Sequence, residues 1–472
     1  MPKEWNTRLT RPWVVRGVVL LVIVSLLAPS AVSALTYEPT NLQKGTIEQP
    51  ADGTTVISIQ GFKFRGKANG KKPARLVGVG PRGNVEWVYN GTQDDVTWFY
   101  DVDPLPSRNL LVTATQRGKT VVYSLNPKTQ EKAWTETFEG VHDTHDVDLI
   151  NGDQLLVANM RNYNAEKKVN EDRIFIYDRS ENETVWEWQF RKHTNFTRQQ
   201  GHKYAGDHDD WTHVNDVDKI AEGQYLISPR NMDQVMVINR STKNVDMRLG
   251  SDNNYEVMNE QHNPQYMESQ NGTPTILVAD SHNDRVVEYA KRNGDWKRTW
   301  QLGSQQSLNW PRDADRLPNG NTLVVDSNNH RVFEVTPKGE IVWEFYAPWA
   351  PYDVERMNLA DEANGTGPTI ADQNAEGTYK ITGSAGITPG TGQRLTFSQW
   401  LSAAFAGTPL DGPASELAAQ WSKIAPWVRP VWMGPWDFVA AIGAGLLLVG
   451  WVLGEGIYNR RRIKNGVRRR LA

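Results

Sequence analysis

Cysteine is absent from all 472 residues, which excludes disulfides, thiol nucleophiles and cysteine-ligated zinc or iron–sulfur centres. A positive surplus is missing from the bulk of the chain as well. The net charge is −3, with +3 on the first 35 residues and +5 on the last 42, which leaves −11 between them. An acidic body argues against nucleic acid as a partner. Long apolar runs are confined to the two ends.

Lys3, Arg8, Arg11 and Arg16 precede the apolar run Val18 to Leu35, which closes on the small residues Ala31, Val32, Ser33 and Ala34. That order of charged, apolar and small residues is an export pattern, so residues 1–35 are expected to be a signal peptide or an uncleaved signal anchor. Residues 437–458 are almost wholly apolar and long enough for a transmembrane helix. Seven cations between Arg460 and Arg470 follow, which makes 459–472 a basic cytoplasmic tail and sets the acidic body outside the cell membrane. Six N-x-Ser/Thr sequons, at Asn90, Asn182, Asn195, Asn239, Asn271 and Asn364, are compatible with an exposed surface. Nothing in the sequence sets an oligomeric state.

The middle repeats. Acidic triplets recur at Asp101 to Asp103, Asp146 to Asp148, Asp216 to Asp218, Asp313 to Asp315 and Asp353 to Glu355. Most are followed by a turn and an apolar strand, then a third alternating strand, then a strand holding Trp87, Trp134, Trp186, Trp300 or Trp343. Four strands per unit at this period predict an all-β, six-bladed β-propeller over residues 50–357. Its blades are expected at 56–90, 100–137, 144–190, 212–249, 262–302 and 311–346. Tyr352 to Met357 returns to complete the first blade. Residues 358–430 read as a linker, Gly-, Thr- and Ala-rich to about 392, then a helical stalk near the membrane. Polar insertions at 162–171 and 191–210 are expected on the propeller faces, the second with His193, His202 and His208 as a possible lid.

The triplets look catalytic, but an acid needed for one reaction would not recur in nearly every blade. They are expected to satisfy backbone donors instead. Asp280 to Arg285 and Asp326 to Arg331 resemble the turns of NHL-type propellers, which gives His282 and His330 structural parts. Three other histidines break the repeat. His145 directly precedes a triplet; His213 lies three residues before the next, an even strand offset of about 7 Å on one face. His262 stands where the fifth unit has lost its triplet. The hairpin from Thr212 to Ile220 and Gln224 to Ser228 brings Arg230 to the same end as His213. Zinc accepts three histidines, but a neighbouring arginine repels a cation. Arginine with several imidazoles suits a tetrahedral oxyanion, with one neutral imidazole able to act as a nucleophile.

The order His145, Asp146, then Thr212, His213, Asn215 and Asp216 ending in Ser228, Pro229 and Arg230, then Gln261 and His262, resembles the arylsulfate sulfotransferases over about residues 50–350. The resemblance implies an exported propeller that moves a sulfuryl group from an aryl sulfate to a phenol without a nucleotide donor or other cofactor. It makes His262 the transiently sulfated residue, with His145, His213 and Arg230 gripping the group. The family's usual disulfide has no counterpart here, and there is little room for its extra N-terminal domain. Two other readings remain: a non-catalytic surface propeller binding an anion, glycan or protein, and a metal-dependent propeller hydrolase.

Overall fold

The computed structural model describes residues 11–36, 42–61, 72–193, 210–359, 367–383, 396–430 and 432–460. Two compact units result, one spanning residues 41–423 and one formed by the chain ends.

The larger unit is the expected six-bladed propeller. Blade one comprises Thr55–Ile59, Arg75–Val79 and Val85–Asn90, and Pro351–Arg356 pairs antiparallel with the first of these to close the circle. Blade two holds Trp98–Pro104 to Lys132–Glu139, blade three Val147–Ile150 to Glu183–Gln189, and blade four Val214–Ala221 to Val245–Gly250. Blades five (His262–Glu268 to Asp295–Leu302) and six (Pro311–Arg316 to Ile341–Tyr346) each gain a fifth, outer strand. Gln43–Ile47 joins blade six antiparallel, and Gly377–Tyr379 joins blade five in parallel.

Alternation within the strands builds six buried apolar clusters, each lying between two consecutive blades. Between blades three and four, for example, Leu156, Ile174 and Trp188 meet Tyr225, Ile227 and Met236. Tryptophans of the outer strands join neighbours by donating an indole N–H to the next blade's third turn. Trp186 donates to the Arg240 carbonyl at 3.0 Å, Trp300 to Pro337 at 2.8 Å and Trp343 to Pro81 at 3.2 Å. Gly78 is required because a Cβ there would lie 2.2 Å from the Trp87 indole nitrogen.

The acidic triplets form a belt between blades. Asp353 accepts the Val102 amide at 2.9 Å, Asp146 that of Val217 at 2.5 Å, Asp148 that of Lys219 at 3.0 Å and Asp313 that of Val354 at 3.1 Å. Blade five, lacking a triplet, uses the Gln265 side-chain oxygen to accept the Arg316 amide at 2.9 Å. These acids hold first strands together, as backbone-satisfying side chains do.

Part of the segment read as linker is held on the propeller. Ile370, Ala375 and Ile381 are buried in the cluster between blades five and six, and the Ile370 amide donates to Glu288 at 3.1 Å. Composition hides this because the few apolar residues are separated by polar ones that turn outward. Residues 360–366 and 384–395 lie outside the described residues, as do Asn195, Asn364, His202, His208 and the tail beyond Arg460.

Four helices complete the chain: α1 (Arg11–Thr36), α2 (Phe397–Phe405), α3 (Asp411–Val428) and α4 (Pro435–Tyr458). Phe397, Leu401 and Phe405 of α2 pack on Ala414 and Ala418 of α3. Helices α1 and α4 are both long and apolar enough to cross a bilayer. They pack against one another in the second unit.

Candidate active site

Aligning the blades by their belt acids reveals one repeated position, the residue immediately before the first acid or its equivalent. It is occupied by Tyr100, His145, Asn215, His262, Arg312 and Tyr352 in blades two, three, four, five, six and one. All six are buried, and they form a collar at one end of the channel. Two residues earlier the backbone kinks through left-handed φ at Asp143 (57°), His213 (44°), Glu260 (52°), Trp310 (57°) and Ala350 (53°). For non-glycine residues that region is sparsely populated, so the kink is a built feature of the repeat. The collar and the kink form two tiers of side chains.

His145 and His262 belong to the collar, and His213 belongs to the kink. An even strand offset therefore does not describe His213. The left-handed turn carries its ring to 5.1 Å from that of His145. Tyr352 is the hub of the collar. Its hydroxyl lies 2.9 Å from His145 Nδ1, and its ring lies 4.9 Å from Tyr100, 6.0 Å from His262 and 5.1 Å from the Arg312 guanidinium. Tyr100 stacks on His145 at 3.9 Å and donates to Asp143 at 2.6 Å.

Arg230 opens a one-turn 3₁₀ helix, Arg230–Met232, that matches Ser281–Asn283 and Ser327–Asn329 of the following blades. In those blades the leading serine donates to the next blade's entry, Ser281 to Pro311 at 2.6 Å and Ser327 to Pro351 at 2.7 Å. Blade four puts a guanidinium where its neighbours have a hydroxyl, and Arg230 Nη2 lies 3.5 Å from Glu260. His282 also contacts Glu260, at 3.0 Å, and the His330 ring nitrogen accepts the Ala350 amide at 3.2 Å, so both turn histidines have structural partners.

Hydrogen bonding fixes the reactive faces of two histidines. His262 Nδ1 lies 3.1 Å from the Glu260 carbonyl and 2.8 Å from Ser281 Oγ. A carbonyl only accepts, so the neutral ring carries its proton on Nδ1 and leaves Nε2 with a bare lone pair. That Nε2 is buried and has no protein partner. Burial, then Arg312 and Arg230, hold the His262 imidazole well below its usual pKa, so it is neutral at pH 7. His213 Nδ1 sits 2.7 Å from Asp210, and its Nε2 is likewise unpartnered. Burial and Arg230 lower the His213 pKa, while Asp210 partly offsets them. Burial acts upward on Asp210, but His213, Arg161 and Arg230 outweigh it and keep the carboxyl below its ordinary range.

Sequence reasoning missed Arg312, Tyr100, Tyr352 and Asp210. The first three could have been found by reading the residue before each triplet across all blades. Asp210 had no such signal, because it lies outside the repeat. Among the described residues no three His, Asp or Glu side chains converge as a metal-binding set.

Residues 60–263 match the model of a known family, described as arylsulfotransferase (ASST), and that span contains His145, His213, Arg230 and His262. This part of the chain belongs to the arylsulfotransferase family. No curated protein matches the chain. Among solved structures, the chain is similar to a protein of unknown function from Bacteroides caccae at 11% identity and TM-score 0.42, over 62% of this chain and 93% of that one. A putative 6-phosphogluconolactonase from Bacteroides fragilis shares 11% identity at TM-score 0.39, over 65% and 85%. An auxiliary nutrient binding protein from Bacteroides thetaiotaomicron shares 13% at TM-score 0.38, over 60% and 74%. Likenesses of this size say nothing about chemistry.

Proposed function

We propose that this arylsulfotransferase-family propeller transfers a sulfuryl group from an aryl sulfate to a phenol through a covalent sulfohistidine at His262. The observation that carries the reading is the His262 tautomer: a neutral imidazole locked by the Glu260 carbonyl, its bare Nε2 buried, with Arg230, His213 and His145 near enough to act on the ring or be acted on by it electrostatically. In the first half-reaction the Nε2 lone pair forms the N–S bond. The S–O(aryl) bond breaks and its electron pair leaves on the phenolate oxygen. The transition state spreads charge over the equatorial oxygens, so positioning and cationic donors supply most of the catalysis.

Arg230 provides a fork for two of those oxygens. Burial raises the Tyr352 pKa well above its usual value, so its phenol keeps a proton that it can donate to His145 Nδ1, and the mechanism takes that direction. That leaves the His145 N–H on Nε2, available to a sulfuryl oxygen. A bound sulfate ester adds negative charge beside His213 and favours its protonated form. The His213 Nε2–H then protonates the departing phenolate, with Asp210 orienting the ring. In the second half-reaction His213 takes the proton of the acceptor phenol, whose oxygen forms the new S–O bond as N–S breaks and the pair returns to His262.

The test is turnover of a chromogenic aryl sulfate with a phenol acceptor, with intact-mass analysis of enzyme and donor alone. Wild type should gain about 80 Da on His262, and His262→Ala should lose both the adduct and about 10⁴-fold or more in kcat. Equal, slow phenol release by wild type and His262→Ala would discard the reading.

We infer further that α1 is retained beside α4 as an antiparallel membrane hairpin. Arg16 Nε and Nη2 each lie 2.7 Å from Glu455, near the chain-terminal ends of both helices. Ser33 donates to Asp437 at 2.6 Å near the other ends. The apolar stretch between these polar clamps rises about 26 Å, close to the ~30 Å hydrocarbon core. The pairing supports both termini facing the cytoplasm with the propeller outside, as the terminal cations favour. N-terminal sequencing of the purified protein checks it: a start near residue 35 would remove the hairpin.

A further inference from the structure

Arg312 has no ordinary structural role. It occupies the collar position of blade six, next to the blade that carries His262. Ser281 Oγ lies 2.8 Å from His262 Nδ1 and donates to the carbonyl of Pro311, the residue preceding Arg312. The guanidinium lies over the faces of Trp310 at 4.4 Å and Tyr352 at 5.1 Å, and Nη1 donates to Gln60 at 2.6 Å. Nε is buried without a partner.

The other arginines of the site differ. Arg161 pairs with Asp143 at 2.7 Å and Asp210 at 3.4 Å, and Arg230 has Glu260 at 3.5 Å. Deeper in the blades Arg316, Arg331 and Arg356 each have a carboxylate within 3.1 Å. Among the described residues Arg312 makes no ion pair of that kind. Asp143 acts on it electrostatically, but Asp143 is engaged by Arg161 and Tyr100. A fully buried guanidinium needs a counter-charge, because desolvating it costs far more than one neutral hydrogen bond and two ring faces return.

We propose that Arg312 is a second guanidinium that binds the transferred anionic group opposite Arg230, so that the anion itself completes the charge balance of the collar. The inference rests on the sulfuryl-transfer reading and deepens it. It makes Arg312 a catalytic residue, and it makes the site selective for a fully ionised tetrahedral oxyanion over a neutral ester. Arg230 with Glu260 is close to neutral as a unit, whereas Arg312 retains its full charge. Burial and the neighbouring Arg230 act against that charge, and a sulfuryl group relieves it.

The experiment titrates inorganic sulfate against the full-length, detergent-solubilised chain, comparing wild type with Arg312→Gln, Arg312→Lys and His262→Ala. Arg312→Gln should weaken sulfate binding by at least about tenfold, the loss expected of a charge-assisted bond. Arg312→Lys should bind at an intermediate strength, since it keeps the charge and loses the fork. His262→Ala should bind within about threefold of wild type, because a bare Nε2 offers an anion no proton. Wild-type affinity in Arg312→Gln overturns the proposal. Should that variant fail to fold, wild-type affinity in Arg312→Lys overturns it equally. Aryl sulfate turnover measured in parallel separates the two ideas. Loss of sulfate binding in Arg312→Gln together with unimpaired turnover in His262→Ala keeps the anion site and discards the covalent reaction. The reverse pattern keeps the reaction and discards the site.

Discussion

Two neighbouring positions on the same strands follow opposite patterns. The belt acids are nearly alike in every blade, and where blade five lacks them Gln265 performs the same service. The collar residues one step earlier read tyrosine, histidine, asparagine, histidine, arginine and tyrosine. The belt repeats because an acid at this position can accept an amide from the next blade, as Asp353, Asp146, Asp148 and Asp313 do. The collar varies because its side chains meet one another across the blades, as Tyr352 meets Tyr100, His145, His262 and Arg312, and six identical groups would make no useful site. Repetition therefore marks structure in this molecule, and on the proposed function departure from it marks chemistry.

Substitutions can set the two positions against each other. After His262→Ala, the largest effect is expected outside both of them, at Asp210→Asn. It leaves His213 without its anionic partner and should lower kcat about 10²-fold or more, with the KM for aryl sulfate little changed. In the belt, Asp313→Ala strands the buried Val354 amide at the ring closure. It should cost about 2 kcal/mol of stability, read as a lowered unfolding midpoint, while the folded fraction keeps its turnover number. In the collar, Tyr352→Phe should do the converse, with kcat/KM falling about tenfold and stability changing by less than about 1 kcal/mol. If both variants lost stability and activity together, the division between belt and collar would fail.

The pH profile sharpens the same contrast. Burial, Arg312 and Arg230 depress the His262 pKa, so the ring stays unprotonated and nucleophilic as pH falls past the ordinary histidine value of about 6.5. The acid limb of kcat/KM should lie below that value, and Arg312→Gln should move it upward. A limb at or above 6.5 in wild type would mean that the collar does not desolvate its imidazole. The smallest effect on turnover belongs to the chain ends. Arg16→Glu should reduce the membrane-inserted yield, and pairing it with Glu455→Arg should restore it, with the activity of inserted protein unchanged.

Much of the fold could be read because propeller blades are local. Strand, turn and strand alternate within about 45 residues, so the period survives in the sequence and even the closing strand at Pro351–Arg356 announces itself. The outer strand at Gly377–Tyr379 does not, because its pairing with blade five spans a long sequence separation and its composition is that of a loop. At the site, the three histidines and Arg230 stand out as breaks in a pattern. Arg312 does not, because what sets it apart is the lack of a close carboxylate such as Arg316, Arg331 and Arg356 have, and that leaves no mark in the sequence.

The sequence by itself determined the blade count, the belt and the four residues that interrupt it, since each depends on contacts within a unit or between adjacent units. Only the tertiary structure decided which nitrogen of His262 is bare, which acid orients His213 and which arginine lacks a counter-ion. Those properties belong to groups that meet across the channel from different blades, and a hydrogen bond or an absent one between blades leaves no periodic trace along the chain.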